Sequence, residues 1–244
     1  MKKIIERTLF FFKDGEQDMV SLTNMFFPLA TLLNRLLNEK YNGKKIKYIN
    51  IFFSSIDTYM AHPALRQFHT NFYGGHLSYN DVLDFAKFKN LPEQDQNFFI
   101  WKSAKEALSK AADATKNLEL LDATLYAYDK GLEIKLNPDF KVLEQLVTIN
   151  NYSVTAAIWI NFRKEGMYSN FVIEKEGILL FKKPLDKTVH GVEFFFEIYK
   201  SIEVKDNIVT IFGSKSVENL PLKIRIDFSA EPWKELPPGV RSFQ

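Results

Sequence analysis

Residues 152–163, YSVTAAIWINFR, decide the fold. Val154, Ala156, Ile158, Ile160 and Phe162 recur at every second position, with Thr155, Ala157, Trp159, Asn161 and Arg163 between them. A period of two belongs to a pleated strand with one apolar face, whereas a helix repeats every three to four residues. The same texture continues downstream, predicting strands near 168–175, 177–182, 192–204, 207–213 and 222–228. The joints Lys175-Glu176-Gly177 and Lys205-Asp206-Asn207 are short enough for hairpins. The second half of the chain therefore reads as an antiparallel sheet of about five to six strands.

Working upstream, the texture changes. Residues 4–12 end in Phe10-Phe11-Phe12 before the turn sequence Lys13-Asp14-Gly15-Glu16, which predicts an opening strand. Three consecutive Phe place rings on both sides of that strand, so cover is expected on both faces. Leu22, Met25, Phe26, Leu29, Leu32, Leu33, Leu36 and Leu37 give a helix over 19–39, kinked at Pro28 and ended by Asn42-Gly43. A strand over 46–53 completes a βαβ-like opening. Residues 56–91 read as a loop-rich connection with short helices, one of them over 80–88. Helices are expected over 92–116 and 118–128, and Asn137-Pro138-Asp139 is read as opening a third that carries Phe140, Leu143, Leu146 and Val147.

The class that results is α+β, an N-terminal strand-helix-strand and helical region packed with a C-terminal antiparallel sheet. One composite domain over 1–244 is expected, with a soft boundary near 136. Residues 1–136 form its mixed part, 137–230 the mainly antiparallel sheet and 231–244 a Pro-rich tail.

Composition narrows the function classes. Hydrophobic residues make 46% of the 244 and charged ones 25%, which excludes wholesale disorder. The 23 Phe, 10 Tyr and 3 Trp are an unusual aromatic load that must be either buried or used for contact. Lys and Arg number 32 against 30 Asp and Glu, with no cationic half. Nucleic-acid binding needs clustered cations to neutralise phosphates, so it is not expected. The absence of Cys excludes disulfides, thiol nucleophiles and Cys-ligated zinc. Glu6 and Arg7 interrupt the basic start before any signal-peptide apolar core, and no run approaches the roughly 18 apolar residues of a membrane span. Cytoplasmic residence without membrane association is the expectation.

Linear catalytic signatures are missing. Gly213-Ser214-Lys215-Ser216 mimics the end of a phosphate loop but lacks the earlier Gly, since position 208 is Ile. His62, His69 and His76 fall seven residues apart, too far on a helix to share one metal, and Pro63 and Gly74-Gly75 break that helix. A metal-assisted hydrolase with a site in the 54–91 region, using Asp57, His62 and His69, is the enzyme alternative. Glu193 and Glu197, four apart on an expected strand, stand about 13 Å apart, beyond acid-base pairing.

Strand parity favours contact over chemistry. It assigns Trp159, Arg163, Glu193, Phe195, Glu197, Tyr199 and Arg225 to one sheet face, opposite the apolar one. Aromatic anchors amid charge make a protein-binding composition. The expected function is that of a cytoplasmic, non-catalytic protein-binding protein without cofactor or metal. Its profile is that of an immunity protein, a toxin inhibitor that occludes a toxin or effector domain. A structural subunit of a larger assembly is the remaining alternative.

Overall fold

A computed structural model describes residues 4–205 and 207–227. The chain divides into two compact units between Pro138 and Asp139. Phe228 and the Pro-rich tail fall outside the described residues.

The first unit contains β1 (Arg7–Asp14), the two-residue β2 (Gln17–Asp18), helices α1 (Val20–Met25) and α2 (Phe27–Lys40), and β3 (Tyr48–Ser54). It continues with α3 (Ile56–Ala61), the hairpin β4 (His69–Tyr73) and β5 (His76–Val82), and helices α4 (Phe85–Lys89), α5 (Glu93–Thr115) and α6 (Leu118–Glu133). The five strands lie in the order β2-β1-β3-β5-β4. β1 and β5 both run parallel to the central β3, so the opening is a strand-helix-strand crossover. Pro28 stands in the first turn of α2 after a break at Phe26. The ring needs no amide hydrogen there, so the expected kink in a continuous helix is a boundary between two helices.

Phe10, Phe12, Ile49, Ile51, Phe53 and Leu77 project from one face of this sheet into a core shared with α2, α5 and α6. Each fully buried side chain of this size stabilises by about 1.5–3 kcal/mol. Ala104, Ala107 and Ala111 of α5 and Ala123 and Ala127 of α6 are also buried, and their small volumes let the helices approach closely. Phe11 corrects the expectation of cover on both faces, because it points the other way and is only half-buried.

The second unit contains β6 (Phe140–Ile149), β7 (Tyr152–Arg163), β8 (Gly166–Lys175) and β9 (Ile178–Thr188), a 3-10 turn (Glu193–Phe196), and β10 (Tyr199–Lys205), β11 (Ile208–Gly213) and β12 (Leu222–Arg225). These strands form two antiparallel sheets, β6-β7-β8-β9 and β10-β11-β12, in place of a single one. The α+β class stands, with antiparallel pairing throughout this unit.

The apolar face read from residues 152–163 is buried in full. Ala156, Ile158, Ile160 and Phe162 stand opposite Ile173, Phe171, Ser169 and Met167 of β8. Ser169 Oγ and Tyr199 OH, 2.6 Å apart, bring β10 against this inner face.

Three local expectations fail. Residues 80–82 end β5, and the short helix is α4 (Phe85–Lys89) in place of one over 80–88. Asn137-Pro138-Asp139 opens β6, not a helix. The β-branched residues Val142, Val147, Thr148 and Ile149 favour a strand, and a bulge between Lys141 and Leu143 shifts the alternation so that it mimics helical spacing. Asn150 and Asn151, at φ +48° and +63°, then make the tight turn into β7. The expected strand over 192–204 begins only at Tyr199, because Glu193–Phe196 coil into the 3-10 turn.

Candidate functional site

The expected contact face in the second unit is not formed as one surface. Phe195 and Tyr199 are buried, at 4% and 7% exposure. Burial pushes the Tyr199 hydroxyl up to about 12. Glu193 sits in the 3-10 turn and Glu197 caps it, so strand parity does not relate them. Arg225 lies on β12, in the other sheet from Trp159. What remains on the outer face of β7 is a half-buried Trp159, whose ring lies 5.3 Å from Lys141 Nζ, and an exposed Arg163 held 3.4 Å from Asp139. Lys141 is in turn bonded to Glu144 at 2.5 Å, which raises its pKa.

The metal alternative is also corrected. Asp57 lies in the first turn of α3, His62 at its C-cap and His69 at the start of β4. Among the described residues no group of three or more His, Asp or Glu side chains stands close enough to hold an ion.

The hairpin in the same segment builds a different surface. Gly74 and Gly75, at φ +57° and +85°, adopt a two-residue turn that side-chain-bearing residues enter at a cost. Gly75 O accepts from the amides of Lys47 and Tyr48, which fixes the hairpin against β3. Pairing of Tyr73 with His76, Asn71 with Ser78 and His69 with Asn80 then sets the register. In a two-residue hairpin the residues flanking the turn exchange both backbone bonds, and alternate pairs repeat the pattern. His69, Asn71 and Tyr73 therefore bond to β5, while the N–H and C=O groups of Thr70 and Phe72 point away from it. Among the described residues β4 is the last strand of the sheet, and no further strand pairs with that edge.

Side-chain parity extends from this edge across the sheet. Tyr73, His76, Tyr48 and Arg7 form one row on the face opposite the helices, and His69, Asn80, Phe52 and Phe11 another. Phe11 stacks on Phe52 with centroids 5.0 Å apart, and Tyr48 on His76 at 4.5 Å. Tyr48 OH donates to Glu6 at 2.5 Å, which raises the Tyr48 pKa. Asn80 Nδ2 donates to Arg66 O at 3.1 Å, tying the 62–68 loop to the end of β5.

Large apolar side chains are exposed on α3, in the 62–68 loop and on β4. Tyr73 is 89% exposed, Met60 72% and Phe68 53%, with Ile56, Leu65 and Phe72 also open to solvent. Phe68 takes φ +52°, a left-handed conformation that costs a bulky residue of order 1 kcal/mol or more, and Lys110 Nζ stands 4.9 Å from its ring. Next to Phe72 a recess of about 160 Å³ is lined by Lys45, Ile46, Thr115 and Asn117. Asp81, beside the edge on β5, has its pKa raised by burial, and burial pushes Tyr59 and Tyr79 up to about 12.

The signals for this surface were present in the sequence as Phe68, Phe72 and Tyr73 ahead of a Gly-Gly pair. They read as loop because so short a strand shows little alternation. Among the described residues no helix is long and apolar enough to cross a membrane. Comparison with protein-family models, curated proteins and solved structures returned no match.

Proposed function

We propose that this chain is a non-catalytic protein-binding protein that docks through the ground around α3 and β4. It acts by occlusion, in the manner of a cytoplasmic immunity protein covering a toxin or effector domain. One observation carries the reading. Leu65, Phe68, Phe72 and Tyr73, with Ile56 and Met60 on α3, are six large apolar residues exposed within 18 positions, and among the described residues β4 is an edge strand. Scattered exposed apolar residues are ordinary on a protein surface, whereas a concentration of aromatic anchors marks an interface. Trp159 and Arg163, on the outer face of β7, form a second and smaller contact surface in this reading.

Affinity capture from the source cells, followed by reconstitution of the captured protein with the pure chain, tests it. The wild-type chain is expected to form a complex of defined stoichiometry that the double change Met60→Glu and Tyr73→Glu abolishes, with thermal stability unchanged. Retention of no protein, or capture indifferent to both substitutions, overturns the proposal.

A further inference from the structure

His62-Pro63-Ala64-Leu65-Arg66-Gln67-Phe68 pass from the C-cap of α3 to the start of β4, and every residue after His62 is exposed. Side chains of two other elements hold this segment. Asn80 Nδ2 of β5 donates to Arg66 O at 3.1 Å, and Lys110 Nζ of α5 stands 4.9 Å from the Phe68 ring. The same Nζ lies 5.9 Å from the ring of Tyr79, so one ammonium links the exposed segment to a side chain that is only 1% exposed.

This closed arrangement carries three costs. Phe68 keeps a left-handed φ of +52°, which a bulky residue adopts only under constraint. Among the described residues the buried Tyr79 hydroxyl finds no hydrogen-bond partner, so it forfeits the bonds that water would give it. Asp81, which with Phe68 flanks the last β4-β5 pair, His69 with Asn80, is largely removed from water and loses hydration of its charge.

The groups around Asp81 do not offset that loss. From α5, Lys110 attracts its charge and Glu106 repels it, and burial outweighs both. Asp113 follows Lys110 toward the Asn117 end of the same helix. From α3, Tyr59 OH donates to the backbone Asp81 O at 2.8 Å, while Asp57 is exposed. Tyr59 and Tyr79 both keep their protons at neutral pH and bring no charge. His62 and Arg66 are the titratable residues of the segment itself.

Lifting the segment relieves all three costs and breaks both holds. We propose that residues 62–68 form a strap that opens and closes over Tyr79 and Asp81, held shut by Lys110 and Asn80 and driven open by hydration of the Tyr79 hydroxyl and the Asp81 carboxylate. The device has a pH sign. The Asp81 pKa is raised in the closed state and returns toward the ordinary value of about 4 when water enters. Closure is therefore favoured below that ordinary value and loses ground as the pH rises through the raised one. The strap is shut in acid and opens toward neutral pH, whatever partner the protein has.

Nitrogen relaxation dispersion on the full chain, which reports microsecond-to-millisecond exchange, tests this together with hydrogen exchange of the Asn80 side-chain amide. Exchange is expected at Ala64 to Phe68 at pH 7, with a smaller open population at pH 4. Lys110→Met keeps the aliphatic stem, removes the charge and is expected to raise the open population roughly fivefold. Tyr79→Phe removes the unpartnered hydroxyl and is expected to lower it roughly fivefold or more. Asp81→Asn at pH 7 is expected to bring it to the wild-type level at pH 4. The Asn80 side-chain amide should exchange faster or slower in step with each change.

A Tyr79→Phe variant that melts higher yet keeps the wild-type open population overturns the proposal, because the hydroxyl then stays sealed when the segment moves. Should Tyr79→Phe disturb the core, Asp81→Asn decides alone, and an open population at pH 7 equal to wild type overturns it. Exchange missing from 64–68 in wild type and Lys110→Met alike overturns it too, as does an open population that grows toward acid.

Discussion

The indole of Trp101 lies so close to Gly131 that a Cβ added at Gly131 would stand 2.2 Å from its Cζ2. Trp101 is fully buried in α5, and its Nε1 donates to Tyr128 O in α6 at 3.2 Å, so the ring cannot retreat without losing that bond. Helix propensity alone makes Ala better than Gly by about 1 kcal/mol. Overpacking a filled core costs about 1–3 kcal/mol, and an overlap this deep lies toward the upper end. Gly131→Ala is therefore expected to lower stability by about 1 kcal/mol or more in urea denaturation, and Gly131→Val by more again. A stabilised Ala variant would show that the two helices separate freely.

How far such contacts were legible depends on the local pattern. In β7 the alternation from Val154 to Phe162 is unbroken, and the strand, its bounds and its buried face all follow from the residues. In β6 the bulge between Lys141 and Leu143 inserts one extra residue into the alternation, so the same physics wrote a helical spacing. Trp101 falls within the helix expected over 92–116, but its seat against Gly131 depends on two helices meeting. The candidate site was least legible. Phe195 and Tyr199 fit a strand face until the chain coils at Glu193–Phe196, and Phe68, Phe72 and Tyr73 acquire meaning only when the hairpin leaves one edge of β4 open.

Asp81 gives a prediction with a definite sign. Burial raises its pKa, outweighing the backbone bond from Val82 N at 2.9 Å and the attraction of Lys110, which lower it. A carboxyl raised in the folded state contributes stability below its unfolded pKa of about 4, and that contribution is lost as pH rises through the folded value. Ionised Asp81 therefore weakens the fold at neutral pH. Asp81→Asn keeps an Oδ1 acceptor for Val82 and removes the charge. The variant is expected to melt above wild type at pH 7, with the gap closing near pH 4. A variant less stable than wild type at pH 7 would mean that Lys110 dominates.

Three tyrosines set the alkaline limit. Burial pushes Tyr59, Tyr79 and Tyr199 up to about 12 from the ordinary 10. In each case the folded state keeps its proton longer than the unfolded state does, so the contribution of these tyrosines to stability is constant below about pH 10 and falls between about 10 and 12. Tyr199→Phe removes one of the three together with the 2.6 Å bond to Ser169 Oγ, which keeps its bonds with Asp186 N at 3.0 Å and Asp186 O at 3.2 Å. It is expected to cost about 1–2 kcal/mol at pH 7 and to lose less further stability than wild type by pH 11. Parallel curves for the two proteins would refute the titration of Tyr199.

Asp139 carries the last prediction, because one carboxylate closes the β6 end of the second unit. Its Oδ1 accepts from Phe162 N at 2.7 Å, and its Oδ2 accepts from Asn161 Nδ2 at 2.9 Å. Asn161 Oδ1 in turn accepts from Asn170 Nδ2 at 2.8 Å, so the chain of bonds runs from β8 through β7 to the residue before β6, with every donor directed toward Asp139. Asp139→Ala leaves a backbone amide and a side-chain amide unpaired in a site that is 15% exposed, at about 1–3 kcal/mol for each buried group. Asp139→Asn keeps the acceptor for Phe162 but sets its own amide hydrogens against those of Asn161. Rotating Asn161 only moves that conflict to Asn170. Arg163→Ala removes an exposed ion pair at 3.4 Å and costs about 0–1 kcal/mol. The expected order of destabilisation in urea is Asp139→Ala, then Asp139→Asn, then Arg163→Ala. If Arg163→Ala proved the most damaging, the carboxylate would act mainly through its ion pair, and the bond chain through Asn161 and Asn170 would carry little of the stability of this sheet.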